Sequence, residues 1–263
     1  MRRQLQRWHT ALAKSTIGAY VSNTHNPGDH AMTTTVQIPA LHGAGNIPAY
    51  VASPEGDSRG AIIVIQEIFG VNEGIRQKVA DWAAAGYLAV APDVFWRQQP
   101  GLDFNPDMPE EFQQAISFMM KHDFDLGIQD VEAVIHWCRR TAGVAKVGLV
   151  GFCMGGKVAY MAAARTDVDA SVGYYGVGID QMLNEAHAIA KPLLLHVPTA
   201  DGFVPAASQS AMHDGLDSNA HVTIHDYAGL DHGFADTFGA RRNEAGAELA
   251  DDRTAAFFAE HVG

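Results

Sequence analysis

The chain has 263 residues, 47% of them hydrophobic and 18% charged, with 18 Lys and Arg against 30 Asp and Glu for a net charge of −12. That apolar content supports one large core and excludes a disordered chain, while the acidity argues against nucleic acid or an anionic membrane as partner, since both reward Lys and Arg. Cys138 and Cys153 are the only cysteines; they cannot build a disulfide framework and lack metal-ligand spacing, so a cytoplasmic protein without metal or cofactor is expected.

Residues 1–32 stand apart from the rest. Arg2, Arg3, Arg7 and Lys14 precede the first acid, Asp29, and Asn26-Pro27-Gly28 marks a turn. Three readings stay open: an organelle-targeting segment, which shares this Arg-rich and acid-poor composition; an extension ahead of a functional start at Met32; and a helix lying on the surface. The folded domain is expected over 33–263. No apolar run approaches the roughly 20 residues that a membrane span needs.

Within the domain, short Val/Ile/Leu-rich runs bounded by Gly, Pro or Asp alternate with helical patterns. The spacing predicts a strand at 61–66, a helix at 74–85, a strand at 87–92, helices at 109–121 and 126–141, and a strand at 146–151. A helix at 154–165 follows, then strands at 171–176 and 192–197, a helix at 206–218, a strand at 221–227 and a helix at 243–260. Continuous apolar strands alternating with helices imply parallel strands buried on both faces. The expected architecture is an α/β three-layer sandwich with a mainly parallel sheet, its sites at the carboxyl ends of the strands.

GLVGFCMGG (148–156) places Cys153 between Gly151 and Gly155, where strand passes into helix. A nucleophile on such a turn stands clear of the sheet edge and beside the positive end of a helix, which lowers a thiol pKa and favours thiolate chemistry. Its counterpart Cys138 falls in a helical pattern and reads as core. A cysteine nucleophile needs a base, and the base an orienting acid. Downstream, Asp201 follows the strand PLLLHV and His232 follows HVTIHDY, which gives the order nucleophile, acid, histidine. Asp231 competes with Asp201, but a residue adjacent to His232 on a loop points elsewhere. His196 lies inside an apolar strand and reads as buried and satisfied; His221 and His225 have helical ligand spacing in a strand pattern, so no metal pair is expected. Glu67, just past AIIVIQ, reaches the same edge, either as a simple loop acid or as a carboxylate that keeps the sulfur protonated. The Ile68 and Met154 N–H groups are the candidate oxyanion donors.

QEIFGVN (66–72), APDVFWRQ (91–98), GLVGFCMGG (148–156), VGYYGVG (172–178), DGFVPA (201–206) and DHGF (231–234) together resemble the dienelactone hydrolase family of the α/β-hydrolase fold. The resemblance spans roughly residues 34–260. It implies a Cys-His-Asp triad acting on enol-lactones, falling here on Cys153, His232 and Asp201, with Glu67 holding the thiol neutral until substrate arrives. It also implies two arginines that grip a substrate carboxylate, and at those positions this chain carries Phe112 and Asp236. Arg97, Arg241 and Arg242 are the candidates to replace them. The expected partner is a small lactone or ester, and the expected state a monomer or small homo-oligomer. A thioesterase, a general carboxylesterase, or a non-hydrolytic thiol-redox or ligand-binding homologue are the alternatives.

Overall fold

The computed structural model describes residues 32–43 and 45–263. Residues 1–31, and with them the three readings of the N-terminal segment, lie outside the described residues.

The elements run β1 (Met32–Pro39), β2 (Asn46–Ser53), β3 (Ala61–Ile65), α1 (Glu73–Ala84), β4 (Leu88–Pro92), α2 (Pro109–Met120), α3 (Phe124–Arg140), β5 (Val147–Phe152) and α4 (Met154–Arg165). They continue with β6 (Ala170–Tyr174), a 3-10 segment (Asp180–Ala188), β7 (Leu193–Pro198), α5 (Ala206–Leu216), β8 (Val222–Tyr227) and α6 (Glu244–His261). One sheet holds all eight strands in the order β1-β2-β4-β3-β5-β6-β7-β8. It is parallel from β4 through β8, while β1 pairs with β2 and β2 with β4 in antiparallel fashion. The fold is the α/β-hydrolase fold.

Each strand and helix expected from the sequence is present. The antiparallel strands β1 and β2 and the 3-10 segment were not expected. MTTTVQIP and NIPAYVAS carry polar residues and prolines where the central strands carry unbroken apolar runs, and β1 is exposed or half-buried everywhere except Ile38. An edge strand covered on one side has no reason to be continuously apolar.

All five β3 residues are buried, and the pleat sends them to opposite sides of the sheet. Ile62 and Val64 pack with Ile75 and Val79 of α1 and Phe258 of α6. Ile63 and Ile65 pack with Val131, Val134 and Ile135 of α3 and Val158 of α4. Helices on both faces leave only the strand ends open. From β3 the chain moves to β4 on one side and then back across to β5 on the other, so the loops after β3 and β5 diverge over adjacent strand ends. Such a divergence point is where open α/β sheets bind ligands. Among the described residues no helix is long and apolar enough to cross a membrane.

Candidate active site

Cys153 is the N-cap of α4 and adopts φ 54°, ψ −114°. Side chains other than glycine rarely occupy positive φ, and when they do the surrounding structure must hold them there. Here the Cys153 N–H donates to the Tyr174 carbonyl at 3.0 Å and the Cys153 carbonyl accepts from the Gly156 N–H at 2.9 Å. The flanking glycines let the turn close. A Cβ at Gly151 would overlap the Gly155 carbonyl, and one at Gly155 would lie 2.6 Å from both the Ile65 and Gln66 carbonyl oxygens. Backbone atoms cannot swing aside as a flexible side chain can. Gly155→Ala is therefore expected to cost about 3 kcal/mol or more, the upper end of overpacking penalties, read as a fall in Tm. Gly202→Ala serves as the control, since nothing lies within 4 Å of the added methyl.

The histidine and its acid meet across neighbouring loops. His232 Nδ1 lies 2.9 Å from Asp201 Oδ2, and both residues are buried. Asp201 Oδ1 accepts from the N–H groups of Phe203 (2.8 Å) and Val204 (3.1 Å), so the carboxylate is fixed before it meets the imidazole. This arrangement makes Nδ1 the donor and leaves Nε2 available for proton transfer. Phe203 stands edge-on to the imidazole at 4.8 Å and Tyr175 lies at 4.9 Å on the ring. Asp231 serves the backbone instead, because its Oδ1 accepts from the Gly202 N–H (3.1 Å) and the His232 N–H (2.7 Å) and so ties the two loops together. Those donors hold its carboxyl below the ordinary range.

The sulfur does not follow the simple helix-terminus argument. Burial is the largest influence and raises the Cys153 thiol well above its ordinary value; the nearby Glu67 charge raises it further, and the Met154 N–H bond to sulfur opposes both. The Cys153 thiol is therefore neutral at rest. Glu67 extends from a loop pinned by Gln66, whose Oε1 accepts from the Val94 N–H at 3.1 Å while its Nε2 donates to the Glu67 carbonyl at 3.3 Å. Burial first, then the charge and hydrogen bond of Asp236, push the Glu67 carboxyl well up, against the pull of Lys78 and Arg241. Met154 opens α4, and the Ile68 N–H makes no hydrogen bond among the described residues.

Phe112 and Asp236 have different surroundings. Phe112 projects from α2 against Phe69 at 5.8 Å. Asp236 is buried, with the Tyr175 hydroxyl donating to its Oδ1 at 2.8 Å. Of the three candidate arginines, Arg97 is taken up by Asp130 at 2.7 and 2.8 Å, and Arg242 by Glu244 at 2.8 and 3.2 Å. Arg241 is exposed and sits 5.9 Å from the Phe112 ring and 5.8 Å from Phe203, the ring that covers His232.

The remaining candidates behave as structural residues. His196 Nδ1 meets the Tyr227 hydroxyl at 2.7 Å and its Nε2 meets Thr254 Oγ1 at 2.9 Å; burial pushes it well below the ordinary histidine range, so it stays neutral. Cys138 is fully buried, its thiol raised to about 12. His225 stacks on His196, and His221 lies just ahead of β8 with its N–H on Asn219. Among the described residues no cluster of three His, Cys, Asp or Glu is placed to hold a metal.

Two residues of the site, Tyr175 and Lys78, escape a reading of the sequence. Tyr175 adopts φ 39°, and with Cys153 it is one of the two non-glycine residues at positive φ among the described residues. Its motif, VGYYGVG, is visible, but a tyrosine at the end of an apolar strand looks like core. Lys78 is buried on α1, donates to the Ala235 carbonyl at 2.9 Å and lies 4.3 Å over the Phe152 ring. A lysine inside an amphipathic helix carries no signal that it points inward.

The family model for the dienelactone hydrolase family matches residues 47–262. The chain belongs to that family. A protein of Azospirillum brasilense, provisionally named a carboxymethylenebutenolidase, is 43% identical over 232 residues, covering 88% of this chain and 100% of its own length. The carboxymethylenebutenolidase of Pseudomonas putida is 37% identical over 212 residues, covering 80% and 90%. A Klebsiella pneumoniae protein provisionally described as a dienelactone hydrolase superimposes with a TM-score of 0.76 at 29% identity, over 88% of this chain and 99% of that one. The dienelactone hydrolase match runs from β2 to the end of α6, so every candidate residue lies within it. The protein is a hydrolase of this family, similar to the carboxymethylenebutenolidases.

Proposed function

We propose that this dienelactone hydrolase family member cleaves small lactones or esters through Cys153, with His232 as acid–base partner and Asp201 holding the imidazole. The observation that carries this reading is the pairing of a positive-φ cysteine at a helix start with a carboxylate-oriented histidine at the same strand edge. In the first step His232 Nε2 takes the thiol proton, sulfur bonds to the carbonyl carbon, and the carbonyl oxygen becomes an oxyanion facing the Ile68 and Met154 N–H groups. Collapse breaks the bond to the leaving oxygen, and the enolate or alkoxide so released takes up the proton held on His232, which returns the imidazole to its neutral form. Water then gives its proton to His232 and adds to the thioester, releasing the acid and returning the proton to sulfur. No cofactor enters these steps. A thiol that rests neutral suits leaving groups that need little protonation, so enol-lactones and activated esters should turn over and amides should not.

A redox role through an internal disulfide needs a second thiol, and Cys138 is buried with its thiol raised to about 12. Thioesterase and general carboxylesterase readings use the same residues and separate from lactone hydrolysis in a substrate panel.

Arg241 supports an anionic group on the substrate. It is a guanidinium at the site, flanked by two rings, with no carboxylate bonded to it among the described residues. Two ester substrates with one leaving group, differing only in a distal carboxylate, test this. Arg241→Ala should raise KM for the acidic substrate about 10-fold or more, the loss of a charge-assisted hydrogen bond, with the neutral one little changed. Equal effects on both would remove Arg241 from recognition. If Cys153→Ala turns over the panel as fast as wild type, the hydrolytic assignment itself fails.

A further inference from the structure

Lys78 is buried on α1, and among the described residues no carboxylate is bonded to its ammonium; Asp251, Asp236 and Glu67 act on it through charge alone. An ammonium without an ion pair is costly to bury, and for packing alone Met or Leu would serve a helix on a sheet better. The contacts of Lys78 run instead to the two segments that carry the reacting groups. Nζ donates to the carbonyl of Ala235, in the loop that follows His232, at 2.9 Å. It also sits 4.3 Å over the ring of Phe152, the residue before Cys153. A carbonyl oxygen and the face of an aromatic ring are both electron-rich, so each prefers a cation to an apolar chain end.

The loop after His232 is stiff enough to transmit this hold. The Asp236 N–H donates to the Gly233 carbonyl at 2.9 Å, which closes a tight turn over residues 233–236, and the Thr237 hydroxyl donates to the Gly74 carbonyl at 3.0 Å. The loop therefore docks on α1 at Gly74 and at Lys78. On the other side, Phe152 ends β5 and packs on Tyr174 at 4.8 Å, and the Tyr174 carbonyl accepts from the Cys153 N–H at 3.0 Å. Lys78, Phe152, Asp236 and Thr237 line one small cavity, so packing alone does not fix the spacing of these segments. Resting on the reading of Cys153 as nucleophile and His232 as its base, we propose that Lys78 is a positioning residue, whose one ammonium, tied both to the Ala235 carbonyl and to the Phe152 ring, sets where His232 stands against Cys153. Asp201 fixes which way the imidazole faces, and Lys78 fixes the place of the loop that carries it. Lys78 acts through these neighbours and not on the reacting atoms.

A double-mutant cycle on Cys153 alkylation by iodoacetamide, read on the Cys153 peptide by mass near neutral pH, tests this without turnover. His232→Ala should slow alkylation, because the base is gone. Lys78→Met keeps the length and apolar stem of the side chain. It should slow alkylation, and lower kcat for an activated ester, by about 10- to 100-fold, the cost of a misplaced catalytic group, with KM and Tm little changed. In the His232→Ala background the same substitution should cost nothing more, since Lys78 acts through His232. Lys78→Arg keeps a cation over the ring and should recover most of the loss. An effect of the ammonium charge on the thiol itself would persist without His232, so equal losses in both backgrounds overturn the proposal, as does a loss that only follows a fall in Tm. Should Lys78→Met fail to fold, Lys78→Gln takes its place in the cycle under the same outcomes, with a donor for Ala235 and no cation for the ring. Alkylation of Lys78→Met at the wild-type rate beside a slow His232→Ala strikes this proposal alone. If His232→Ala alkylates at the wild-type rate, the base assignment fails and the proposal with it, whereas a failed nucleophile assignment shows in the turnover of Cys153→Ala.

Discussion

Cys153→Ala is expected to lower turnover of activated esters and lactones by about 10⁴- to 10⁶-fold, the range for deleting a covalent nucleophile. The expected loss follows from the position of Cys153 rather than from intrinsic thiol acidity. Burial and the nearby Glu67 charge raise the thiol, so the helix start supplies an N–H from Met154 more than it supplies a ready thiolate. Alanine keeps the backbone turn, including the bonds of residue 153 to Tyr174 and Gly156, and removes only the sulfur. The loss should therefore appear in kcat/KM with Tm nearly unchanged. A comparable fall in Tm would mean that the variant reports on folding.

Asp201→Asn should cost about 10⁴-fold in kcat, the effect of presenting the wrong imidazole tautomer. The amide oxygen can keep the N–H groups of Phe203 and Val204, so the loop survives. Its NH2 donates where the carboxylate accepted, which makes Nδ1 an acceptor and puts the proton on Nε2, the nitrogen that must take one from sulfur. Asp231→Asn is the matching control. Asp231 accepts two backbone N–H bonds on one oxygen, which an asparagine keeps through its amide oxygen, and makes no bond to the imidazole ring, so kcat should change little. If the Asp231 variant loses the greater share of kcat, the acid has been misassigned.

The parts of this molecule that sequence makes legible are those where one physical demand acts alone. A strand buried on both faces must be largely apolar, so β3 to β7 stand out, whereas β1 and β2 pair along an edge and carry Thr, Gln and Pro. The turn at Cys153 requires glycine at 151 and 155 because backbone carbonyls occupy the space where Cβ would go. The His232–Asp201 pairing follows from two strand ends in order. What stayed hidden depends on side-chain direction. Arg241, Arg242 and Arg97 are indistinguishable in sequence, and their partners alone separate them. Asp236 reads as a charge opposing a substrate carboxylate, yet it is buried against Tyr175 and Glu67. The expected lowering of the thiol pKa gave way to burial, which no local motif displays.

The covalent step is the most direct test of the mechanism. Rapid quenching of wild-type protein with an activated ester, followed by intact and peptide mass measurement, should show one acyl group on the Cys153 peptide. That adduct should form and decay at rates consistent with turnover and be missing from Cys153→Ala. An acyl group on any other residue, or turnover in Cys153→Ala equal to wild type, would contradict the account.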